Sequence, residues 1–234
     1  MTLLDKTNTL VIVPAYNEQD SIVSVIEEIK ATGFPFVVID DGSTDETRNR
    51  AVTAGARTIS LPFNAGVGGA LKCGFRFAVK ENFLAIVQID ADGQHPIAGI
   101  PLLVEAANLN GSHMIIGSRF KSGETNQTMN FVRINGVRFL SLLMRVLFRA
   151  DVSDPTSGNR IIQKELLVEY AKNFPRQYLG DTFEATVIAL RKGFVITEIP
   201  APFTNRITGT PSKKSVTASG FYLRAVIKAV LLKI

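Results

Sequence analysis

The chain has 234 residues, 46% of them hydrophobic, which allows one large domain with a proper core. A lone Cys73 excludes an internal disulfide and a cysteine metal site, and no stretch reaches the ~18 uninterrupted apolar residues of a membrane span, so the expectation is a chain in a reducing cytosol, neither secreted nor transmembrane. The net charge of +5 is uneven: residues 1–116 carry 8 Lys and Arg against 13 Asp and Glu, whereas residues 117–234 carry 18 against 8, as suits an acidic half that handles a metal and a basic half that meets an anion.

Thr9–Pro14 reads as a buried strand, Glu18–Ala31 as an amphipathic helix, Phe36–Asp40 as a second strand and Thr44–Ala54 as a helix capped by Ser43 or Thr44. The alternation continues through the strand Arg57–Leu61, the glycine-led segment Gly66–Val79, the strand Leu84–Asp90, the helix Ile97–Asn108 and the strand His113–Gly117. Repeated strand-helix units predict an α/β fold with a mostly parallel central sheet flanked by helices. A polar loop, Lys121–Thr128, then leads to an apolar and basic segment, Phe131–Arg149, the turn-rich stretch Asp154–Arg160, two further helices and the strand Phe194–Ile199. Phe203–Ser215 is rich in Thr, Gly, Pro and Lys and reads as an irregular loop, and Ala218–Leu232 as a terminal helix.

In open α/β sheets ligands sit beyond the carboxyl ends of the strands, and three predicted strands end in polar or acidic groups: Pro14–Glu18, Asp40–Asp45 and Asp90–Gln94. Asp90 and Asp92, one residue apart at the end of an apolar run, are placed to hold a divalent cation against a substrate diphosphate, because hard oxygen ligands suit Mg²⁺ or Mn²⁺. Arg138, Arg145 and Arg149 share one face of an ideal helix with Phe139, Leu142, Leu143, Val146 and Leu147 around the rest, a pattern that suits either a membrane interface or ordinary packing. With no Trp and four Tyr, stacking surfaces for nucleic acid are sparse, and no nucleic-acid partner is expected.

The order Val13-Pro14-Ala15-Tyr16-Asn17-Glu18, Asp40-Asp41-Gly42-Ser43-Thr44-Asp45 and Asp90-Ala91-Asp92 resembles the family 2 glycosyltransferases, and Asp90-Ala91-Asp92-Gly93-Gln94-His95-Pro96 resembles the subgroup that glycosylates polyprenyl or dolichyl phosphate, which often has Leu in place of Gly93. The resemblance continues through Gly117-Ser118-Arg119-Phe120, Asp154-Pro155-Thr156-Ser157-Gly158-Asn159-Arg160 and Arg206…Ser212-Lys213, although Thr210-Pro211 lengthens the usual spacing of the last motif. It implies a GT-A fold in one domain, residues 1–234, with a nucleotide-sugar-binding half (1–117) and an acceptor-binding half (118–234) that carries the terminal amphipathic helix. It implies inverting transfer from a nucleoside diphosphate sugar, UDP- or GDP-linked, with Mg²⁺ or Mn²⁺.

By the same resemblance Pro14, Ala15, Tyr16, Glu18, Asp40, Asp41, Asp90 and Arg206 would bind the nucleotide, with the carboxylates accepting from base or ribose donors. Asp90, Asp92 and Gln94 would ligate the metal. Arg119, Arg133, Ser157 and Lys213 would serve the acceptor, since a guanidinium fork suits phosphate, and His95 would orient a neighbouring loop. Asp154 is the first candidate for a catalytic carboxylate, as base or as orienting group, and Asp181 the second, with a helix N-cap as its other reading. The implied acceptor is a polyprenyl phosphate at the cytoplasmic face of the inner membrane, with the enzyme peripheral there and a membrane partner subunit allowed. The alternatives are a glycan hydroxyl in envelope polysaccharide synthesis and a non-catalytic nucleotide-binding subunit.

Overall fold

The computed structural model of the protein describes residues 2–93, 97–121, 131–175 and 180–201. Among them, seven strands form one sheet: β1 (Thr9–Ala15), β2 (Phe36–Asp40), β3 (Thr58–Ser60), β4 (Ala85–Gln88), β5 (Met114–Ser118), β6 (Arg160–Gln163) and β7 (Ile196–Pro200). Their order across the sheet is β3-β2-β1-β4-β6-β5-β7. Every neighbouring pair is parallel except those made by β6, which runs against both β4 and β5.

Strand alternation builds two apolar layers. Leu10 and Ile12 of β1, Val37 and Ile39 of β2 and Ile86 of β4 point to one face, where α3 (Val67–Lys80), α5 (Phe131–Phe148), α6 (Lys164–Asn173) and α7 (Ala185–Arg191) supply Phe75, Leu140, Leu166, Leu167, Tyr170 and Val187. Val11, Val13, Val38 and Val87 point to the other, against Ile22, Ile26 and Ile29 of α1 (Ile22–Thr32) and Leu103 and Val104 of α4 (Ile100–Asn110). Gly74 lets α3 lie directly on β1, because a Cβ there would sit 2.6 Å from Ile12 Cγ2.

Several boundaries differ from those read in the sequence. The second helix, α2 (Thr47–Thr53), starts three residues later than expected, and neither Ser43 nor Thr44 caps it. Ser43 Oγ instead accepts the Asn17 N–H at 3.0 Å, and Thr44 N–H donates to Asn17 Oδ1 at 2.9 Å, so these groups tie the β1–α1 and β2–α2 loops together. Asp45 takes the Thr47 N–H and hydroxyl at the helix start. Strand β4 ends at Gln88, which leaves Asp90 and Asp92 in the following turn rather than in the ladder. Arg149 lies beyond α5 with φ +53°, so only Arg138 and Arg145 of the expected basic face are helical. The loop expected at 203–215 and the helix expected at 218–232 lie outside the described residues.

The reversed strand β6 positions the site. The parallel strands β1, β2, β4, β5 and β7 all finish at one edge of the sheet, and β6 begins there. The Asp154–Asn159 turn leading into β6 therefore sits beside the ends of β4 and β5.

Candidate active site

The side expected to take the nucleotide lies where β1 and β2 end. Ala15, Asp40 and Asp41 are buried, while Tyr16 is 43% exposed at the rim. Glu18 N–H donates to Thr47 Oγ1 at 2.8 Å and Gln19 N–H to Asp45 Oδ2 at 3.3 Å, completing the clip between the two loops. Asp40 Oδ1 accepts the Ser43 N–H at 3.1 Å, and Asp41 Oδ1 accepts the Ala65 N–H at 2.8 Å. Burial pushes the Asp41 carboxyl above its usual range against the backbone bonds from Ala65 and Gly66, with the charge of Asp40 adding to the rise.

Asp90 and Asp92 follow β4 in a turn that ends at Gly93 (φ +72°). Within electrostatic reach of Asp90 is Asp181, in a single π-helical turn, Gly180–Glu184, that runs into α7; it is not the N-cap of that helix, which is Glu184. The residue keeps some solvent contact, but its carboxyl is deep: burial pushes it up to about 6, the charge of Asp90 pushes the same way, and the Arg160 guanidinium pulls it back. Among the described residues no three His, Cys, Asp or Glu side chains converge as a complete metal cage. Asp90 and Asp92 nevertheless suit the way Mg²⁺ is commonly held, by one or two protein carboxylates with the phosphate oxygens of a bound substrate and water completing the shell.

The side expected to take the acceptor lies where β5 meets the Asp154–Asn159 turn. Arg119 Nε donates to Asp154 Oδ2 at 2.6 Å and Nη2 donates to Oδ1 at 2.7 Å, with Nη2 also bonded to Thr156 Oγ1 at 2.9 Å. Asp154 is fully buried and the Arg119 side chain 10% exposed. Such a fork-to-carboxylate pair fixes the plane of the guanidinium. Ser157 is buried beneath this surface: its hydroxyl donates to Gly117 O at 2.7 Å and accepts the Asn159 N–H at 3.3 Å, which docks the turn on β5. Gly117 is required for that contact, since a Cβ would lie 2.8 Å from Asn159 Nδ2 and 2.9 Å from Ala201 Cβ.

Two charged residues central to this geometry were assigned no role from the sequence, although Arg160 closes the Asp154–Arg160 motif. Arg160, the first residue of β6, is buried, and it donates through Nε to Ser157 O (2.6 Å), through Nη1 to Thr182 O (3.0 Å) and Thr186 Oγ1 (3.1 Å), and through Nη2 to Pro155 O (2.9 Å). It thereby ties the Asp154 turn to the π turn of Asp181. Burial presses its pKa down, and Tyr170, Asp181, Asp154 and Glu198 press it up. Glu198 on β7 accepts from Ser153 and Asp154. The signal for both was present: each is a charge set in an apolar strand, Arg160 before Ile161-Ile162 and Glu198 between Ile196 and Ile199.

The structure thus brings Pro14, Ala15, Tyr16, Glu18, Asp40, Asp41, Asp90, Asp92, Arg119, Asp154 and Asp181 to one edge of the sheet, with Ser157 beneath it. Gln94, His95, Arg206 and Lys213, and the side chain of Arg133 in the first turn of α5, lie outside the described residues.

This arrangement has relatives. The chain is 31% identical to an uncharacterised protein of Methanocaldococcus jannaschii over 201 residues, covering 84% of this chain and 82% of that one. It is 27% identical to the polyprenol monophosphomannose synthase of Mycolicibacterium smegmatis over 218 residues, covering 89% and 82%. A crystal structure of glucosyl-3-phosphoglycerate synthase from Mycobacterium tuberculosis, in complex with Mn²⁺, UDP-glucose and phosphoglyceric acid, superposes with a TM-score of 0.72 at 23% identity, covering 96% of this chain and 78% of that one, a likeness of fold. Residues 10–171 match the family described as glycosyl transferase family 2. On that match, on these relatives and on its GT-A sheet, the chain belongs to glycosyl transferase family 2 and is a glycosyltransferase.

Proposed function

We propose that the chain moves a hexose from a nucleoside diphosphate sugar, UDP- or GDP-linked, to a polyprenyl phosphate, with inversion at the anomeric carbon. The observation that carries this reading is Arg119: a guanidinium held in plane by a buried carboxylate, at the same sheet edge as Asp90 and Asp92. With its Nε and Nη2 edge taken by Asp154, the guanidinium stays charged and fixed in orientation, a cation suited to an acceptor that is itself an anion. The kinship with polyprenol monophosphomannose synthase supports the same acceptor class.

The residues act as a single glycosyltransferase domain, 1–234, with donor half 1–117 and acceptor half 118–234. Tyr16, Asp40 and Asp41 hold the nucleoside, and Glu18 supports them from the β1–α1 loop; Arg206 and Lys213 belong to the diphosphate and acceptor side. Asp90, Asp92 and Gln94 would hold Mg²⁺ or Mn²⁺, which supplies charge neutralisation at the leaving diphosphate. A phosphate monoester is already anionic at neutral pH, so its oxygen forms the bond to the anomeric carbon as the bond to the diphosphate breaks, and no proton need be removed. Asp154 then orients Arg119 rather than acting as a base. Arg133 supplies the second guanidinium.

Helix α5 supports action at a membrane surface. Phe139, Leu142, Val146 and Leu147 are exposed along it beside Arg138 and Arg145, a combination that fits an anionic lipid interface. Among the described residues no helix is long and apolar enough to cross a membrane. The proposal places the enzyme as a peripheral protein at the cytoplasmic face, with room for a membrane partner subunit and without a nucleic-acid partner.

A second reading, transfer to a glycan hydroxyl, is favoured by one observation, the deep carboxyl of Asp181 within electrostatic reach of Asp90, where a hydroxyl acceptor would need a base. The deciding experiment offers UDP- and GDP-sugars with Mg²⁺ or Mn²⁺ to a short polyprenyl phosphate and reads products by mass spectrometry. A chelator-sensitive lipid-phosphate sugar supports the first reading. Donor turnover with glycans and none with the lipid phosphate moves the assignment to the second.

A further inference from the structure

Glu198 has a side chain that no step above uses. It is 8% exposed, on β7, and all its described bonds run to the loop that carries Asp154. Oε1 accepts the Asp154 N–H at 2.8 Å; Oε2 accepts the Ser153 N–H at 2.8 Å and the Ser153 hydroxyl at 2.7 Å. The Ser153 and Ser118 hydroxyls are 2.8 Å apart, and Ser118 Oγ also accepts the Phe120 N–H at 3.2 Å. Because the Ser153 proton goes to Glu198, Ser118 must be the donor to Ser153. The bonds therefore run in one direction, from Phe120 N–H through Ser118 and Ser153 to the carboxylate.

This chain encloses Arg119 on both sides in sequence. Ser118 and Phe120 flank it on β5 and its exit, and Asp154, whose backbone Glu198 holds, takes its fork. The three groups facing Glu198 are all donors, so a carboxylate satisfies them and an amide cannot: whichever way a glutamine is turned, its NH₂ meets an N–H. The negative charge is offset by Arg160, which feels Glu198, Asp154 and Asp181 together.

We propose that Glu198 is a positioning residue for the acceptor phosphate: by pinning the Ser153–Asp154 backbone it sets the direction in which Arg119 presents its guanidinium. This rests on Arg119 being the acceptor residue, as read above. Glu198 touches no reacting atom, and its effect passes through Asp154.

The test compares Glu198→Gln and Arg119→Ala with the full chain in steady-state transfer, varying a short polyprenyl phosphate and the donor separately. Hydrogen exchange of the Arg119 Nε–H is followed by ¹⁵N NMR in the unmodified protein and in Glu198→Gln. The expected result for Glu198→Gln is an acceptor KM raised by about 10-fold or more, the scale of losing an orienting partner, with the donor KM held and faster exchange of that Nε–H. A general loss of folding would move both KM values and the thermal midpoint together. If Glu198→Gln does not fold, Ser153→Ala keeps both N–H bonds and removes only the hydroxyl, and should raise the acceptor KM by a smaller factor, again without the donor KM. An unchanged acceptor KM in Glu198→Gln, where Arg119→Ala raises it, overturns the inference and leaves the acceptor reading intact. An unchanged acceptor KM in Arg119→Ala overturns the reading and the inference with it.

Discussion

Arg119 meets Asp154 side-on, with Nε and Nη2 each bonded to a different carboxylate oxygen within 2.7 Å, and the carboxylate is sealed from solvent. Arg145 and Asp151 make a contact of similar length, 2.8 Å, but with side chains 71% and 76% exposed. Burial decides what each pair is worth. Asp154→Ala strands a mostly buried guanidinium and should cost about 3–5 kcal/mol in urea unfolding, whereas Asp151→Ala should cost under about 1 kcal/mol. Equal losses in the two variants would show that the Arg119 clamp is not a buried pair in solution.

Asp92→Asn should keep the circular dichroism and thermal midpoint of the parent, because the residue stands in a turn beyond β4 and outside both apolar layers. Transfer should fall by at least about 100-fold, the scale of losing one preorganised electrostatic contact. Isothermal titration with Mn²⁺ in the presence of nucleoside diphosphate separates the two: retained metal binding with retained activity would remove Asp92 from the metal site.

Asp45 makes the stability of the loop clip depend on pH. Burial pushes its carboxyl up, but the Thr47 hydroxyl and N–H and the Gln19 N–H outweigh that and leave it below its ordinary value of 3.8. A folded pKa below the unfolded one gives stability that is fully present above about pH 4 and is lost as the pH falls through the folded pKa. Urea midpoints of the parent and of Asp45→Asn should therefore differ most at neutral pH and converge as the pH falls below about 4. A difference that grows on acidification would reverse the assignment.

Leu142 and Val146 are exposed on α5, 56% and 67%, so replacing both by Asp should leave folding almost unchanged while weakening sedimentation with vesicles that contain anionic lipid. Vesicle binding equal to the parent's would count against α5 as the membrane-facing surface.

Much of this was legible from residue order alone. The apolar runs at Thr9–Pro14, Phe36–Asp40 and His113–Gly117 became β1, β2 and β5, and the polar groups after them fell on one edge, because strand alternation and the carboxyl-end rule need only local pattern. Strand β6 was not legible. Arg160-Ile161-Ile162-Gln163 is too short to declare its direction, and its antiparallel place between β4 and β5 goes with long-range partners, among them acceptors from Thr182 and Thr186 that meet Arg160 at the start of the strand. The start of α2 was misplaced for a related reason: Ser43 and Thr44 are good caps, but Asn17, 26 and 27 residues away in sequence, claims them first. Long-range partners of this kind leave no periodic trace.

Reversing β6 also has a consequence for how such enzymes diversify. A strand entered from the catalytic edge brings its preceding turn, Asp154–Asn159, to the substrates while its far end stays rooted in the sheet, paired with β4 and β5. The turn is a replaceable part: its length and side chains are open to change without altering the β1 and β2 loops, to which the proposed function gives the nucleotide. On the proposed donor and acceptor roles, one scaffold is free to keep its donor and exchange its acceptor, a division of labour written into the direction of a four-residue strand.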